Sequence, residues 1–442
     1  MSDLSTPCRP SALSRRTALK GCAAAAVTGT FFQPEPILAQ PPAYRPTAFR
    51  ASDAPKIDSV TVYHGNQNPD DPDSWRLNIV CVEADGVRGW GEAATTYYKP
   101  AAGIPPMLQT LARRVLLGAN PLKNVVLWRE MVDLIDGSYH GGAAGFGAIS
   151  AFDAALWDLK GKLLDQPVHV LLGGAMRRQL RTYANGWCYN LTEPRQYARA
   201  ARKVVDDGFN AMKFDPFRYD EGGFQEHPMR GGSTTSRWIR LALDRVAAVR
   251  EEVGPDVDII LEAHAKFSPH LGIEIGRQAA KYDLLFFEEP IESFDPEVMR
   301  RVADQQPIPL AAGEQIVRFD DLRPFVDKQA FALAQPDIGV VGGITASQRM
   351  AQYCVTRGIG YQSHNSALGL NTAAAVQLSC TLPNFVIQEV FPYRPSDWYE
   401  LLENAYELRI KEGYIPVSDE SGLGVAVNEN WLEERLTRQR IR

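Results

Sequence analysis

Apolar positions along the chain follow two different periods. Residues 57–63 and 77–83 are rich in β-branched and apolar side chains and predict two strands, separated by the polar loop of residues 66–74. Helical spacing follows over residues 104–117 and 145–164; in the second stretch Ile149, Phe152, Ala155, Leu156 and Leu159 form one apolar stripe. These elements predict a small α+β domain that ends near Leu171-Leu172-Gly173-Gly174. From about Arg178 the pattern becomes a regular alternation. Short apolar runs at 211–213, 259–262, 284–288, 310–314, 333–337, 359–364 and 385–389 each end in polar residues, and helical stretches such as 237–253 and 272–281 separate them. A first run near 182–187 brings the count to eight strands, enough to close a parallel β/α barrel. The Gly-rich stretch 218–236 reads as a loop inserted at the strand-end face.

The N-terminus departs from this pattern. Ser14-Arg15-Arg16-Thr17-Ala18-Leu19-Lys20 precedes an apolar run from Gly21 to Phe32, and Ala39 offers a small residue for cleavage. Paired arginines before a short apolar region predict a twin-arginine export signal over residues 1–39 and a periplasmic or exported protein, or a cytoplasmic one if the leader does not function. A Pro/Ala-rich linker over 40–55 follows, then the α+β domain over 56–174 and the barrel over 175–390. No later run reaches membrane-spanning length. With 442 residues, 45% of them hydrophobic, the chain fills a large core, and a net charge of −6 without a basic stripe excludes nucleic acid as a partner. The six cysteines are scattered and read as buried small hydrophobes.

Barrel enzymes carry their chemistry at the C-terminal ends of the strands. Glu262, Glu288 and Glu314 close three successive runs at equal separations of 26 residues. Three convergent carboxylates repel one another in a half-buried site unless a cation lies between them, and an all-oxygen ligand set favours one Mg²⁺. Asp337 and His364 end the sixth and seventh runs as barrel neighbours; the carboxylate can fix the imidazole tautomer, making His364 the candidate general base. His264, two residues beyond Glu262 and expected on the same strand face, is the candidate general acid. Lys213 can bind a substrate carboxylate or stabilise developing charge, and Glu389, if protonated, can donate a hydrogen bond to an enolate oxygen. Asp215 alternates with Lys213 but precedes Pro216, whose turn can redirect it, so it is a candidate substrate contact with its role open. Tyr63, His64, Tyr97 and Tyr98 are further candidate contacts from the first domain's loops.

The chain resembles the mandelate racemase/muconate lactonizing branch of the enolase superfamily. The markers are Trp90-Gly91-Glu92, Ala155-Leu156-Trp157-Asp158-Leu159-Lys160-Gly161-Lys162, Phe287-Glu288-Glu289-Pro290, Ala312-Gly313-Glu314, Gln335-Pro336-Asp337 and Val341-Gly342-Gly343-Ile344-Thr345. The resemblance implies a modified (β/α)₇β barrel under an α+β capping domain that the C-terminal segment, 391–442, completes. It also implies Mg²⁺ on Glu262, Glu288 and Glu314, a small-molecule carboxylate substrate and a homo-oligomer. Two departures stand out: Lys213-Phe214-Asp215 replaces the Lys-x-Lys base motif of the racemases, and Glu262 replaces the usual Asp. Glu262-Ala263-His264 together with Asp337 and His364 looks like the galactonate and gluconate dehydratases. Dehydration of a sugar acid to a 2-keto-3-deoxy acid is therefore expected. An epimerase, racemase or cycloisomerase on the same scaffold is the alternative, and an exported carboxylate-binding protein is a remote third.

Overall fold

The computed structural model describes residues 54–66, 76–93, 103–139, 141–219, 235–394 and 398–442, all within one compact unit, Phe49–Arg442. The leader, most of the linker and most of the 218–236 insertion lie outside the described residues.

Three antiparallel strands open the capping domain: β1 (Ser59–Asn66), β2 (Arg76–Ala84) and β3 (Val87–Glu92). Asp85 and Gly86 both have positive φ, 52° and 74°, the geometry a tight two-residue hairpin needs to match strand twist. Three helices follow: α1 (Ile104–Leu111), α2 (Asn124–Tyr139) and α3 (Gly142–Leu163). The stripe on α3 packs against β3, and two glycines set how close it comes. A Cβ on Gly91 would stand 2.0 Å from the Ala151 carbonyl oxygen, and one on Gly89 2.1 Å from that of Ala155. Asp158 of α3 then ties three segments together. Its carboxylate accepts from Trp90 N at 2.9 Å, Leu423 N at 2.9 Å and Lys162 Nζ at 2.7 Å.

After α4 (Val168–Leu171) the barrel runs β4 (Gln179–Ala184), α5 (Pro194–Asp206), β5 (Ala211–Phe214), α6 (Ser236–Val253), β6 (Asp258–Glu262), α7 (Pro269–Ala279), β7 (Phe286–Glu288), α8 (Pro296–Gln305), β8 (Leu310–Ala312), α9 (Phe319–Asp327), β9 (Leu333–Ala334), α10 (Gly343–Val355), β10 (Gly360–Tyr361), α11 (Gly369–Ser379) and β11 (Gln388–Val390). The eight strands pair in parallel in the order β10-β9-β8-β7-β6-β5-β4-β11. Tyr361 bridges to Phe385, just before β11, and joins the two ends. Seven helices between eight strands make the expected (β/α)₇β barrel. Tyr183, Ile260, Phe286, Leu333 and Ile387 fill a buried inner cluster, so the barrel is a packed core and not a pore.

The chain then returns. β12 (Tyr414–Pro416) adds antiparallel to β4, and after α12 (Glu429–Arg435) β13 (Thr437–Ile441) pairs with β1 as an outer strand of the capping sheet. Among the described residues no helix is long and apolar enough to cross a membrane.

Candidate active site

The strand register brings the acidic residues to one end of the barrel. Glu262 and Glu288 are direct partners across β6 and β7. Gly313 delivers Glu314: its φ of +143° suits glycine, and a Cβ there would lie 2.9 Å from the Gln335 backbone. Beyond the strand ends the backbone is strained, with positive φ at His264 (45°), Ala265 (56°) and Glu289 (40°). Each such non-glycine residue costs about 1–3 kcal/mol, a cost typical of functional rims.

Lys213 Nζ lies 2.5 Å from Glu288 Oε1, 2.9 Å from Glu389 Oε1 and 3.3 Å from Glu262 Oε2, all on buried side chains. Burial opposes a charge on Lys213, but Glu288 and Glu389 outweigh it and raise its pKa well above the usual range. Burial and the neighbouring Glu262 charge push Glu288 well upward. Glu262 is pushed up mainly by burial; its Oε1 accepts from Ala263 N at 2.8 Å and His264 N at 2.6 Å, while its Oε2 faces Lys213. Glu389 moves the other way. Burial would raise it, yet Lys213 and His364 hold it below the usual carboxylate range. In this arrangement it is an anion, so the donor role expected of a protonated Glu389 does not follow from the geometry.

His364 faces Asp337 on one side and Glu314 on the other. Its Nδ1 is 2.7 Å from Asp337 Oδ2 and its Nε2 2.9 Å from Glu314 Oε2, with Glu389 Oε2 at 3.8 Å. Burial opposes charging the ring, but Glu314, Glu389 and Asp337 together lift its pKa well above the usual value.

His264 sits on the strained turn after β6, not on the strand, so strand alternation does not aim it. A left-handed backbone still leaves its ring beside Glu262, with Nδ1 3.9 Å from Glu262 Oε1, and brings the same nitrogen to 2.8 Å from Asp215 Oδ2. Asp215 likewise lies past the end of β5, where it pairs with His264 and Lys266. The same Oδ2 accepts from Lys266 Nζ, and Oδ1 accepts from Phe217 N at 2.8 Å.

The donor chemistry of Glu262, Glu288 and Glu314 suits a hard divalent cation. Two carboxylates stand in register across neighbouring strands, and Glu314 adds to the electrostatic load on Glu262. They do not, however, converge as a closed ligand set. Among the described residues no group of three His, Cys, Asp or Glu side chains stands ready to hold an ion. Carboxylates in a weakly screened mouth turn to the nearest cations, here Lys213 for Glu262 and Glu288 and His364 for Glu314.

Tyr63 is a correction: it is 2% exposed in the capping-sheet core, its ring 6.0 Å from that of Trp90, and is not presented to a substrate. His64 is half-buried on the same strand, and Tyr97 and Tyr98 lie outside the described residues. Sequence reasoning misses Lys266, Gln335 and Glu289. Gln335 Nε2 donates to Glu288 Oε2 at 2.9 Å; buried Glu289 accepts from Gln315 at 3.0 Å and is pushed well up by burial and Glu314. The signal for Lys266 is its place two residues after His264, and for Glu289 its place beside Glu288.

A capped parallel barrel with an acidic, histidine-bearing mouth is the class that fold and site define. The chain matches the family described as Enolase C-terminal domain-like over residues 196–431, and the Mandelate racemase / muconate lactonizing enzyme N-terminal domain over residues 73–173. It is 30% identical to a D-gluconate/D-galactonate dehydratase of Picrophilus torridus over 392 residues, covering 86% of this chain and 94% of that one. It is 30% identical to a D-gluconate dehydratase of Thermoproteus tenax, covering 82% and 70%. Among solved structures, a member of the enolase superfamily from Salmonella Typhimurium superposes with a TM-score of 0.82 at 32% identity, over 88% of this chain and all of that one. The chain belongs to the mandelate racemase/muconate lactonizing branch of the enolase superfamily.

Proposed function

We propose that this chain is a hydro-lyase that dehydrates a sugar acid, an aldonate or aldarate of the gluconate or galactonate kind, to its 2-keto-3-deoxy acid. The observation that carries the reading is a pair of imidazoles at one barrel mouth, each gripped through Nδ1 by its own aspartate: His364 by Asp337 at 2.7 Å and His264 by Asp215 at 2.8 Å. One such histidine suffices to move an α-proton; a second, independently oriented, fits a reaction that must also protonate a leaving group. The dehydratase names of the relatives support the same reading.

Once Glu314 turns from the ring and the Nε2 proton has passed to solvent, the free Nε2 of His364 takes the proton from C2. The C2–H electron pair moves toward the carboxylate and then forms the C2–C3 double bond as the C3–O bond breaks. His264 Nε2 gives its proton to the departing oxygen, which leaves as water, and the resulting enol tautomerises to the 2-keto acid. Glu262, Glu288 and Glu314 would hold Mg²⁺, which when bound supplies positive charge against the doubly anionic state that α-proton loss creates. Lys213 keeps the buried glutamates from repelling one another. Lys213-Phe214-Asp215 offers no second base at that strand, which disfavours two-base racemisation.

The purified chain with Mg²⁺ and a panel of aldonic and aldaric acids is expected to release 2-keto acid, read by semicarbazide, from at least one member. No keto acid from any member, with metal confirmed bound, rejects the reading. The basic, apolar N-terminus supports export as a proposal; a tagged chain should move from the periplasmic to the cytoplasmic fraction when Arg15 and Arg16 are both changed to Lys.

A further inference from the structure

Three residues on two neighbouring barrel strands meet just beyond the strand ends. Asp215 follows β5, and His264 and Lys266 follow β6. Lys266 and Asp215 are both only 6% exposed as side chains, whereas the His264 ring is 40% exposed. The Asp215 carboxylate is fully engaged: Oδ1 accepts from Phe217 N at 2.8 Å, and Oδ2 accepts from both the His264 ring and Lys266 Nζ. Lys266 Nζ is anchored in turn on the Ala263 carbonyl at 3.2 Å. The His264 backbone N–H donates to Glu262 Oε1 at 2.6 Å. The imidazole is thus held at its backbone by one carboxylate and at Nδ1 by another, with Nε2 on the open side of the ring.

An ion pair this buried is not kept for stability. Removing each charge from water costs several kcal/mol, and a hydrophobic pair of similar volume is often as stable. The pair makes sense as an orienter. An aspartate that accepts from Nδ1–H holds the ring in one pose in both protonation states, so the same nitrogen faces the reacting group before and after proton transfer. Burial would tend to neutralise Asp215, but Lys266 and His264 hold its pKa well below the usual carboxylate range, so the grip persists.

We propose that Asp215 and Lys266 form a positioning pair that fixes His264 with Nδ1 inward and Nε2 toward the departing hydroxyl. The inference rests on the dehydratase reading for its chemical consequence, but not for its geometry. Asp215 is then a positioning residue and not a substrate contact. Lys266 acts one step further out, by keeping Asp215 an anion in a buried position.

Two readouts test the pair, and they fail separately. The first is ¹⁵N spectroscopy of the histidine rings without substrate, with the His264 signals assigned by their loss in His264→Asn. The neutral ring should be protonated at Nδ1 in the native chain and lose that single tautomer in Asp215→Asn. A native ring protonated at Nε2, or a tautomer unchanged in D215N, overturns the proposal even if no substrate is found. The second uses D-gluconate and D-galactonate in D₂O with Mg²⁺. D215N should keep deuterium exchange at C2 within about threefold of the native chain and lose about ten- to a hundred-fold in 2-keto acid formation, the range seen when the carboxylate that orients a metal-bound histidine is removed. Equal loss of both steps, or a further loss when D215N is added to H264N, contradicts it. If D215N is not recovered folded, Lys266→Gln carries the same test and should show the same split. A native chain inactive on both sugar acids counts against the dehydratase reading on those substrates, while the ring tautomer still decides the positioning pair.

Discussion

His364 and Asp337 are joined twice. Their backbones form an isolated parallel bridge beyond β9 and β10, and Nδ1 of the ring lies 2.7 Å from Oδ2 of the carboxylate. The backbone bridge fixes the distance between the residues, so the side-chain bond chooses the tautomer without having to hold the loops together. Asp337→Asn keeps the shape but can donate to Nδ1 instead of accepting, which leaves Nε2 protonated and unable to take a proton. C2 exchange in D₂O should fall by about 10²–10⁴-fold in D337N, with the melting temperature within a few degrees of the native chain. A loss below fivefold would separate Asp337 from the base.

Bound cation should act on stability as well as on rate. A ligand that binds only the folded chain at 100 times its Kd adds about 2.7 kcal/mol. Millimolar Mg²⁺ after chelator dialysis should therefore raise the melting temperature of the native chain by a few degrees and leave that of Glu288→Gln nearly unmoved. An equal rise in both proteins would place the ion elsewhere.

The two glycines of β3 make a packing prediction. At Gly91 a Cβ would stand 2.0 Å from a backbone oxygen of α3, so helix and sheet must separate to admit it. Overpacking costs about 1–3 kcal/mol even against movable side chains, so Gly91→Ala should cost more than about 3 kcal/mol by urea unfolding. Gly86, in the hairpin turn with nothing within 4 Å of an added Cβ, should cost only the positive-φ penalty, about 1–2 kcal/mol.

Glu92 predicts a pH signature. It is 1% exposed, its Oε1 accepts from Leu368 N at 2.8 Å, its Oε2 has no hydrogen-bond partner, and burial pushes its pKa up to about 8. The folded state therefore holds a proton that the unfolded chain releases from pH 4.5 upward. Stability from this group is fully present below about pH 4.5 and is lost as pH rises to about 8, by an amount on the order of 4 kcal/mol. Glu92→Gln cannot lose that proton. Its stability relative to the native chain should rise between pH 5 and pH 8, as measured by urea midpoints. A difference that is flat with pH would show Glu92 ionised in the folded chain.

Much of this is legible in the sequence where a period is strong. The α3 stripe and the repeated strand ends mark the capping helix and the barrel because burial there is one-sided or complete, and the pattern records it. α2 escapes the pattern because Val125, Val126 and Leu134 are exposed and blur its apolar face. β13 escapes it because Thr437-Arg438-Gln439-Arg440-Ile441 is mostly polar and becomes a strand only through its pairing with β1. In the site, residue type and strand-end position single out the glutamates and both histidines as candidates. Side-chain direction is not readable. His264 and Asp215 lie past the strand ends, where alternation stops, and the partners of Lys213 and Glu314 are chosen by charge and not by spacing.

The two histidines divide base and acid between them, and isotope exchange separates the two roles in one sample. The native chain, His264→Asn and His364→Asn should each be incubated in D₂O with Mg²⁺ and the panel sugar acid that the native chain turns over, following deuterium at C2 and 2-keto acid in the same sample. H264N should still exchange the C2 proton while forming keto acid at least about a hundredfold more slowly, and H364N should do neither. Exchange lost in H264N, or retained in H364N, would overturn this assignment of base and acid.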